Sequence, residues 1–412
     1  MPPRKSTLLF LWGRAMSIIK KHLERTLPRI WDKVLEDPRR CEIRWDFSEL
    51  VNALMQGLIS GCKSFREIEK KTGMLGRRVP DTTLHDLAVE LDPEPLEEEL
   101  ARGVKEANRS HELDNSELPV RLTVIDGKNL STTSKSIDKY SINRSQKGCA
   151  KYVQHVLRAF HASSRVKLLM AQQRMPRGTN EKAILTDFLD KIVAYYGRTN
   201  LLEVFSFDAG FTSAKNSKAV IERGYHYIFA LKNPQMYPIT RAAIELLSNK
   251  TKPDKTETEH ANGKEITRTL YCCAPPQVKD WEHARQLWRL QKVTTHRRTG
   301  EVTTENRYYV TSLPACRLSP SQVLRAIRLH WSIENNANWV MDTAWEEDKR
   351  PFANIALESI SLMRMIAYNI VARFKLRRLR RPAAISWSWE ETLEIIKTAL
   401  FPLDERRAFA TL

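Results

Sequence analysis

The sequence predicts a mixed α/β protein: a core in which strands and helices alternate, interrupted by a β-rich insertion and preceded by a helical N-terminal region. Three observations predict it. Helical periodicity fills residues 1 to about 112. From 119 to 234 short apolar strand patterns alternate with capped helical ones. From 235 to 315 the chain is polar, strand-rich and punctuated by hairpin signals, before helical periodicity returns at 316–382 and in a short helical appendix at 383–412.

Amphipathic runs at Leu8–Leu27, Phe47–Ile59, Ser64–Thr72 and Pro95–Asn108 make up the first region. Ser64 to Gly73 and Pro80 to Leu87 read as two short helices joined by a turn, with Lys70-Lys71 and Arg77-Arg78 around it. That pattern suits either a helix-turn-helix DNA reader or an ordinary helical hairpin. The stretch from His111 to Leu118 is a polar, acidic linker. Arg121–Gly127 then reads as a strand ending in Asp-Gly, and Tyr152–His161 and Val166–Met175 as two more. A helix capped by Thr179 or Asn180 runs to Tyr196-Gly197; Leu202–Asp208 is a fourth strand, Ser213–Arg223 a helix and Tyr225–Leu231 a fifth strand. In the β-rich stretch, Asn262-Gly263 marks one hairpin and Arg297-Arg298-Thr299-Gly300 another. Ser319-Pro320 then starts a helix that continues to about Asp348, with Ile327, Trp331, Glu334 and Asn338 on one stripe. A last long helix spans about Ile355 to Lys375 and ends in the basic run Arg377–Arg381.

Composition narrows the partner. Lysine and arginine number 67 against 49 acids, a formal charge of +18, and the basic residues cluster, so the natural partner is a polyanion. No apolar run is long enough to span a bilayer, and Leu8–Trp12 is too short for a signal peptide, which makes the cytoplasm, beside the nucleoid, the expected location. The six cysteines form no Cys-x-x-Cys pair and read as scattered reduced thiols.

Three strands, helix, strand, helix, strand, β insertion and helix is the element order of an RNase-H-like fold. In that fold an acid sits on the first strand, a second just after the fourth, and a third on the late helix. Asp126, Asp208 and Glu334 occupy those places. Each alone has an ordinary reading as a turn residue or a solvated helix residue. Three carboxylates brought to one patch, however, cannot all stay ionised without a countercharge. Hard carboxylate oxygens suit Mg2+ or Mn2+, and two such ions serve phosphodiester chemistry, so the acids would hold metal and the basic surface DNA.

The residues also carry a resemblance. Glu305–Leu313, Ile327–Asn335, Asn338–Asp342 and Glu347-Asp348 resemble the C-terminal signature of bacterial insertion-sequence DDE transposases, nearest the H-repeat-associated branch. Val124-Ile125-Asp126-Gly127-Lys128 is similar to that family's first-Asp segment, and Asp208-Ala209 with Tyr227–Gln235 to its second. The resemblance implies a catalytic triad of Asp126, Asp208 and Glu334, with Asp126 bridging two metal ions. It further implies Mg2+ dependence, with Mn2+ as a substitute, and cleavage and strand transfer at transposon ends, with a homodimer pairing two ends. The related pattern of Tyr, Arg and Lys around the Glu is absent, since Ile327, His330 and Met341 stand there. Lys128, Lys232 and Arg328 are candidate phosphate contacts. Asn335 is a candidate for orienting Glu334 or touching DNA, and equally a plain polar helix residue. Trp331 and Trp339 read first as core packing and second as stacking faces for an unpaired base.

Overall fold

The structure, a computed structural model, describes residues 20–21, 35–39, 44–145, 150–349, 356–378 and 387–401. The expected first helix at Leu8–Leu27, Cys41, Cys149 and the basic run beyond residue 378 fall wholly or mostly outside them. In chain order the helices α1 (Phe47–Ile59), α2 (Phe65–Met74), α3 (Asp81–Glu90) and α4 (Pro93–Arg109) come first. Strands β1 (Leu122–Thr133), β2 (Ser141–Asn143), β3 (Tyr152–His161) and β4 (Leu168–Arg174) follow, then α5 (Glu181–Tyr196) and β5 (Val204–Phe207). A 3-10 turn (Ala209–Phe211) leads into α6 (Ala214–Glu222), β6 (His226–Leu231) and α7 (Pro238–Ser248). Strands β7 (Lys255–Ala261), β8 (Lys264–Cys273), β9 (Gln286–His296) and β10 (Val302–Thr311) form the β-rich stretch. The chain then builds α8 (Pro320–His330), a π-helical turn (Glu334–Asn338), α9 (Trp339–Ala344), α10 (Leu357–Arg378) and α11 (Trp389–Leu400). None of the described helices is long and apolar enough to cross a membrane.

The chain divides into two compact units that interleave along it. One takes residues 1–107, 128–156 and 336–412; the other takes 108–127 and 157–335.

The second unit holds the mixed sheet. Its strands lie in the order β3-β1-β5-β6-β10-β9-β8-β7, with β4 paired to β3. Strands β1, β5 and β6 are parallel, since a helix-bearing crossover returns each to the same direction. Strand β10 joins β6 antiparallel and continues the sheet through β9, β8 and β7, so the β-rich stretch extends the core sheet. The predicted Asn262-Gly263 hairpin forms, both residues in the left-handed region with φ of 50° and 72°. One helix in this stretch escaped the sequence reading: α7, where Pro238 opens an apolar i, i+4, i+8 row of Ile239, Ala243 and Leu247. Every residue of β5 is buried, and its Phe207 stacks on Phe229 of β6 with ring centroids 4.6 Å apart. Helix α5 lays Ile184, Leu185, Phe188, Leu189 and Ile192 inward, and Tyr196 at its end donates to the Met170 carbonyl at 2.8 Å.

The first unit is organised on α10, apolar on nearly every side and buried accordingly. Helix α1 buries Leu50, Val51, Leu54, Met55 and Leu58, and the buried Trp345 donates its indole N–H to the Leu58 carbonyl at 2.6 Å. Tyr368 of α10 stacks on Trp389 of α11 at 4.9 Å. The second half of β1 belongs here, where Leu130 packs with Val156 and Leu357. Strand β1 therefore does not end at Asp126-Gly127 as expected; its alternation of buried Lys128 and Leu130 with exposed Asn129 carries it to Thr133. Of the two readings for α2 and α3, the burial pattern favours the plain hairpin. Helix α3 exposes Thr82, Asp86 and Glu90, which gives it the wrong sign for a helix laid into a DNA groove.

Helices α1 and α2 meet at Gly57. A Cβ there would lie 2.5 Å from Cγ1 of the fully buried Ile68. Gly57→Ala is therefore expected to cost about 1–3 kcal/mol by overpacking, in spite of the better helix propensity of alanine. Urea titration checks it, and Ile68→Val in the same chain should restore part of the loss.

Candidate active site

The parallel register sets the site. Ile125 of β1 stands opposite Phe207 of β5, so the next step on each strand brings Asp126 and Asp208 alongside one another. Asp208 leaves β5 extended and opens the 3-10 turn, its carbonyl accepting from Phe211 N–H at 3.1 Å. Glu334 enters from the late helical run and is exposed. All three belong to the second unit.

The charges of Asp208 and Glu334 both bear on Asp126. Burial pushes the Asp126 carboxyl up to about 7. The Gly127 N–H, bonded at 2.8 Å, acts the other way, while the negative charges of Glu181, Asp208 and Glu334 add to the rise. Glu181 is the residue that sequence reasoning missed. It was visible only as the first residue of a capped helix, where acids are common for reasons of helix polarity alone.

The flank of the site is built by β10 and the end of α8. Burial lowers His330 to about 4, against the pull of Asp208, and its Nδ1 lies 3.0 Å from the Ser206 hydroxyl on β5. Burial likewise pushes the Tyr309 phenol up to about 12, with Arg307 acting against it and Asp208 adding to it. Arg307 bonds Glu305 at 2.7 Å and lies over the Trp331 ring, 4.9 Å from its centroid.

The helix carrying Glu334 differs from the expected continuous one. Ser319 and Pro320 start it as read, with a capping box to Gln322. It then breaks after His330, and the backbone widens into the π turn that Glu334 begins. Such turns interrupt α-helices, often where a side chain must be re-aimed. The single stripe is consequently lost: Ile327 and Asn338 are buried, whereas Trp331 and Glu334 are exposed. Trp331 and Trp339 are not core residues; they are 41% and 56% exposed.

The other candidates separate clearly. Lys232 follows β6 and is exposed, as is Asn335. Arg328 is exposed and pairs with Glu259 at 3.5 Å. Lys128 does not display its charge. It is buried in the first unit, where its ammonium donates to Asp342 at 2.7 Å and to the Asn338 carbonyl at 3.4 Å, with the fully buried Glu347 at 3.8 Å. The sequence reading put Lys128 at a strand end; the strand runs on, and the alternation turns this side chain inward.

Among the described residues, no group of three or more His, Cys, Asp or Glu side chains is disposed as it stands to hold a metal ion. The donor chemistry nevertheless suits a hard divalent cation, because the charges of Glu181, Asp208 and Glu334 all bear on Asp126 and carboxylate oxygens are the ligands such a cation takes.

The comparisons bear on this arrangement. The family model described as a transposase DDE domain matches residues 119–370, more than half of the chain. The chain belongs to the DDE transposase family. Three relatives agree in extent. YbfL of Escherichia coli (strain K12) is 24% identical over 391 residues, covering 85% of this chain and 93% of its own. YhhI of the same strain, whose name marks it as a candidate H repeat-associated transposase, is 23% identical over the same length and coverage. YncI of Escherichia coli O157:H7, also named as a candidate transposase, is 23% identical over 399 residues, covering 89% of this chain and 94% of its own. The fold is accordingly the RNase-H-like core of this family, and the family name carries DNA as the partner.

Breaking the buried cluster around Lys128 leaves acids uncompensated. Lys128→Met is expected to lower stability by about 3 kcal/mol, measured by denaturant unfolding. The dependence of DNA affinity on salt should stay unchanged, because this lysine neutralises no phosphate.

Proposed function

We propose that this family member cleaves DNA at the ends of an insertion sequence and joins the freed 3′ end to a target, in a reaction dependent on Mg2+ or Mn2+. The observation that carries the reading is the convergence of acids on Asp126 from three separate parts of the chain, within a domain matched by the DDE family model. Asp126, Asp208 and Glu334 would hold the cations. When bound, divalent ions supply a countercharge and polarise the phosphate and the attacking oxygen.

The chain's own residues prepare this chemistry. The parallel strands fix Asp126 and Asp208 on a rigid base, so their separation does not depend on a loop. The Gly127 N–H holds one orientation of the Asp126 carboxyl. Burial and the neighbouring acids hold the Asp126 carboxyl above the usual carboxylate range, and a cation would favour its ionised form. The π turn takes Glu334 off the helical row of Ile327, and in this reading Glu334 serves the same patch. His330, buried and uncharged, ties the end of α8 to β5 through Ser206 and adds no positive charge that would compete with metal.

Lys232, Arg328 and Asn335 are the proposed contacts to DNA. The exposed Trp331, backed by Arg307, offers a stacking face for an unpaired base. In this reading residues 1–112 belong to DNA binding, and pairing of two ends calls for a homodimer.

The test uses labelled end DNA and a target plasmid. The parent chain is expected to cut and join with Mg2+. Glu334→Gln is expected to lose at least about 1,000-fold in cleavage while binding end DNA within about threefold of the parent. Full cleavage by that variant contradicts the assignment. A parent chain that binds without cutting favours the alternative reading, a transposase-derived DNA-binding protein that has lost its chemistry.

A further inference from the structure

The acids read from the sequence number three, yet a fourth lies near them. Glu181 is the first residue of α5, and Asn180 caps that helix by accepting from Ala183 N–H at 3.0 Å. This pins Glu181 at the start of the helix, with its direction set by the helix rather than by a loop. The carboxylate lies against the turn that carries Asp208: a Cβ built on Gly210 would stand 3.2 Å from Glu181 Oε2. Glycine at 210 is what leaves room for so close an approach. The neighbouring Lys182 is engaged elsewhere, its ammonium donating to the Tyr237 hydroxyl at 2.6 Å. Glu181 also leads the acids that raise Asp126, ahead of Asp208 and Glu334.

We infer that Glu181 is a fourth carboxylate ligand of the divalent-cation site, bound beside Asp126 and Asp208. The inference rests on the functional reading above. A purely structural role is the competing account, since an acid in the first turn of a helix interacts favourably with its dipole. The two accounts differ in one respect. A structural glutamate affects stability and leaves cation affinity alone, whereas a ligand does the reverse.

The experiment is Mn2+ titration of the metal-free full chain, read by calorimetry and by the electron paramagnetic resonance signal of free Mn2+, without DNA or turnover. Glu181→Gln is expected to weaken Mn2+ binding about 10-fold or more, with Glu181→Asp falling between it and the parent. Lys182→Gln, one residue away, should match the parent. Asp126→Asn separates the two levels of the argument. If Asp126→Asn loses binding and Glu181→Gln does not, the role of Glu181 is overturned and the functional reading stands. If neither variant loses binding, the cation site itself is misplaced and the inference falls with it. Should Glu181→Gln fail to fold by circular dichroism, Glu181→Asp provides the second test: it keeps the charge but shortens the reach, so parent-like Mn2+ affinity in that folded variant contradicts the inference.

Discussion

Two acids on adjacent parallel strands, Asp126 within β1 and Asp208 just past the end of β5, repel one another, and the surroundings of the site are arranged about that repulsion. The register of β1 against β5 leaves no freedom in the matter, because Ile125 opposite Phe207 brings Asp126 and Asp208 together. Burial makes the situation more costly for Asp126, and Glu181 and Glu334 add to it. Bringing several carboxylates to one position raises the cost of keeping them all ionised. Such an arrangement makes physical sense where a cation completes it. The same logic reconciles acids at the centre with a chain of +18: one set of charges is suited to metal, the other to phosphate.

The elements around the strands serve rigidity. Strand β5 is buried along its whole length, and the stacked Phe207 and Phe229 lock β5 to β6 immediately before Asp208. His330 reaches β5 through Ser206, so the end of α8 is fixed to the strand that leads to the second acid. Beyond it the backbone widens at Glu334. A regular helix would have kept Glu334 on the row of Ile327, which faces inward. The π turn gives the acid a direction that helical periodicity alone would deny it.

Much of this was legible in the residues. Strand and helix periods gave the order of elements, and from that order Asp126, Asp208 and Glu334 read as candidate acids of one site. Hairpin chemistry at Asn262-Gly263 and the cap at Ser319-Pro320 were readable because turns and caps depend on local conformation. What stayed hidden depends on tertiary placement. Asp126-Gly127 has the composition of a turn, yet β1 runs through it because pairing partners and the buried Leu130 continue the strand. That single extension moved Lys128 from the surface to a buried ion cluster. No local pattern announces a π turn, so Trp331 and Trp339 were assigned to a core that they do not enter. Glu181 was invisible for the opposite reason: its position has an ordinary explanation, and only the close approach to Gly210 gives it another.

The central claim is that the acids around Asp126 form one divalent-cation site. Crystals soaked in Mn2+ and measured near the manganese absorption edge address it directly. The account predicts anomalous density bounded by the carboxylates of Asp126, Asp208 and Glu334. Saturating Mn2+ that leaves this position empty, or appears only at surface carboxylates elsewhere, would contradict it.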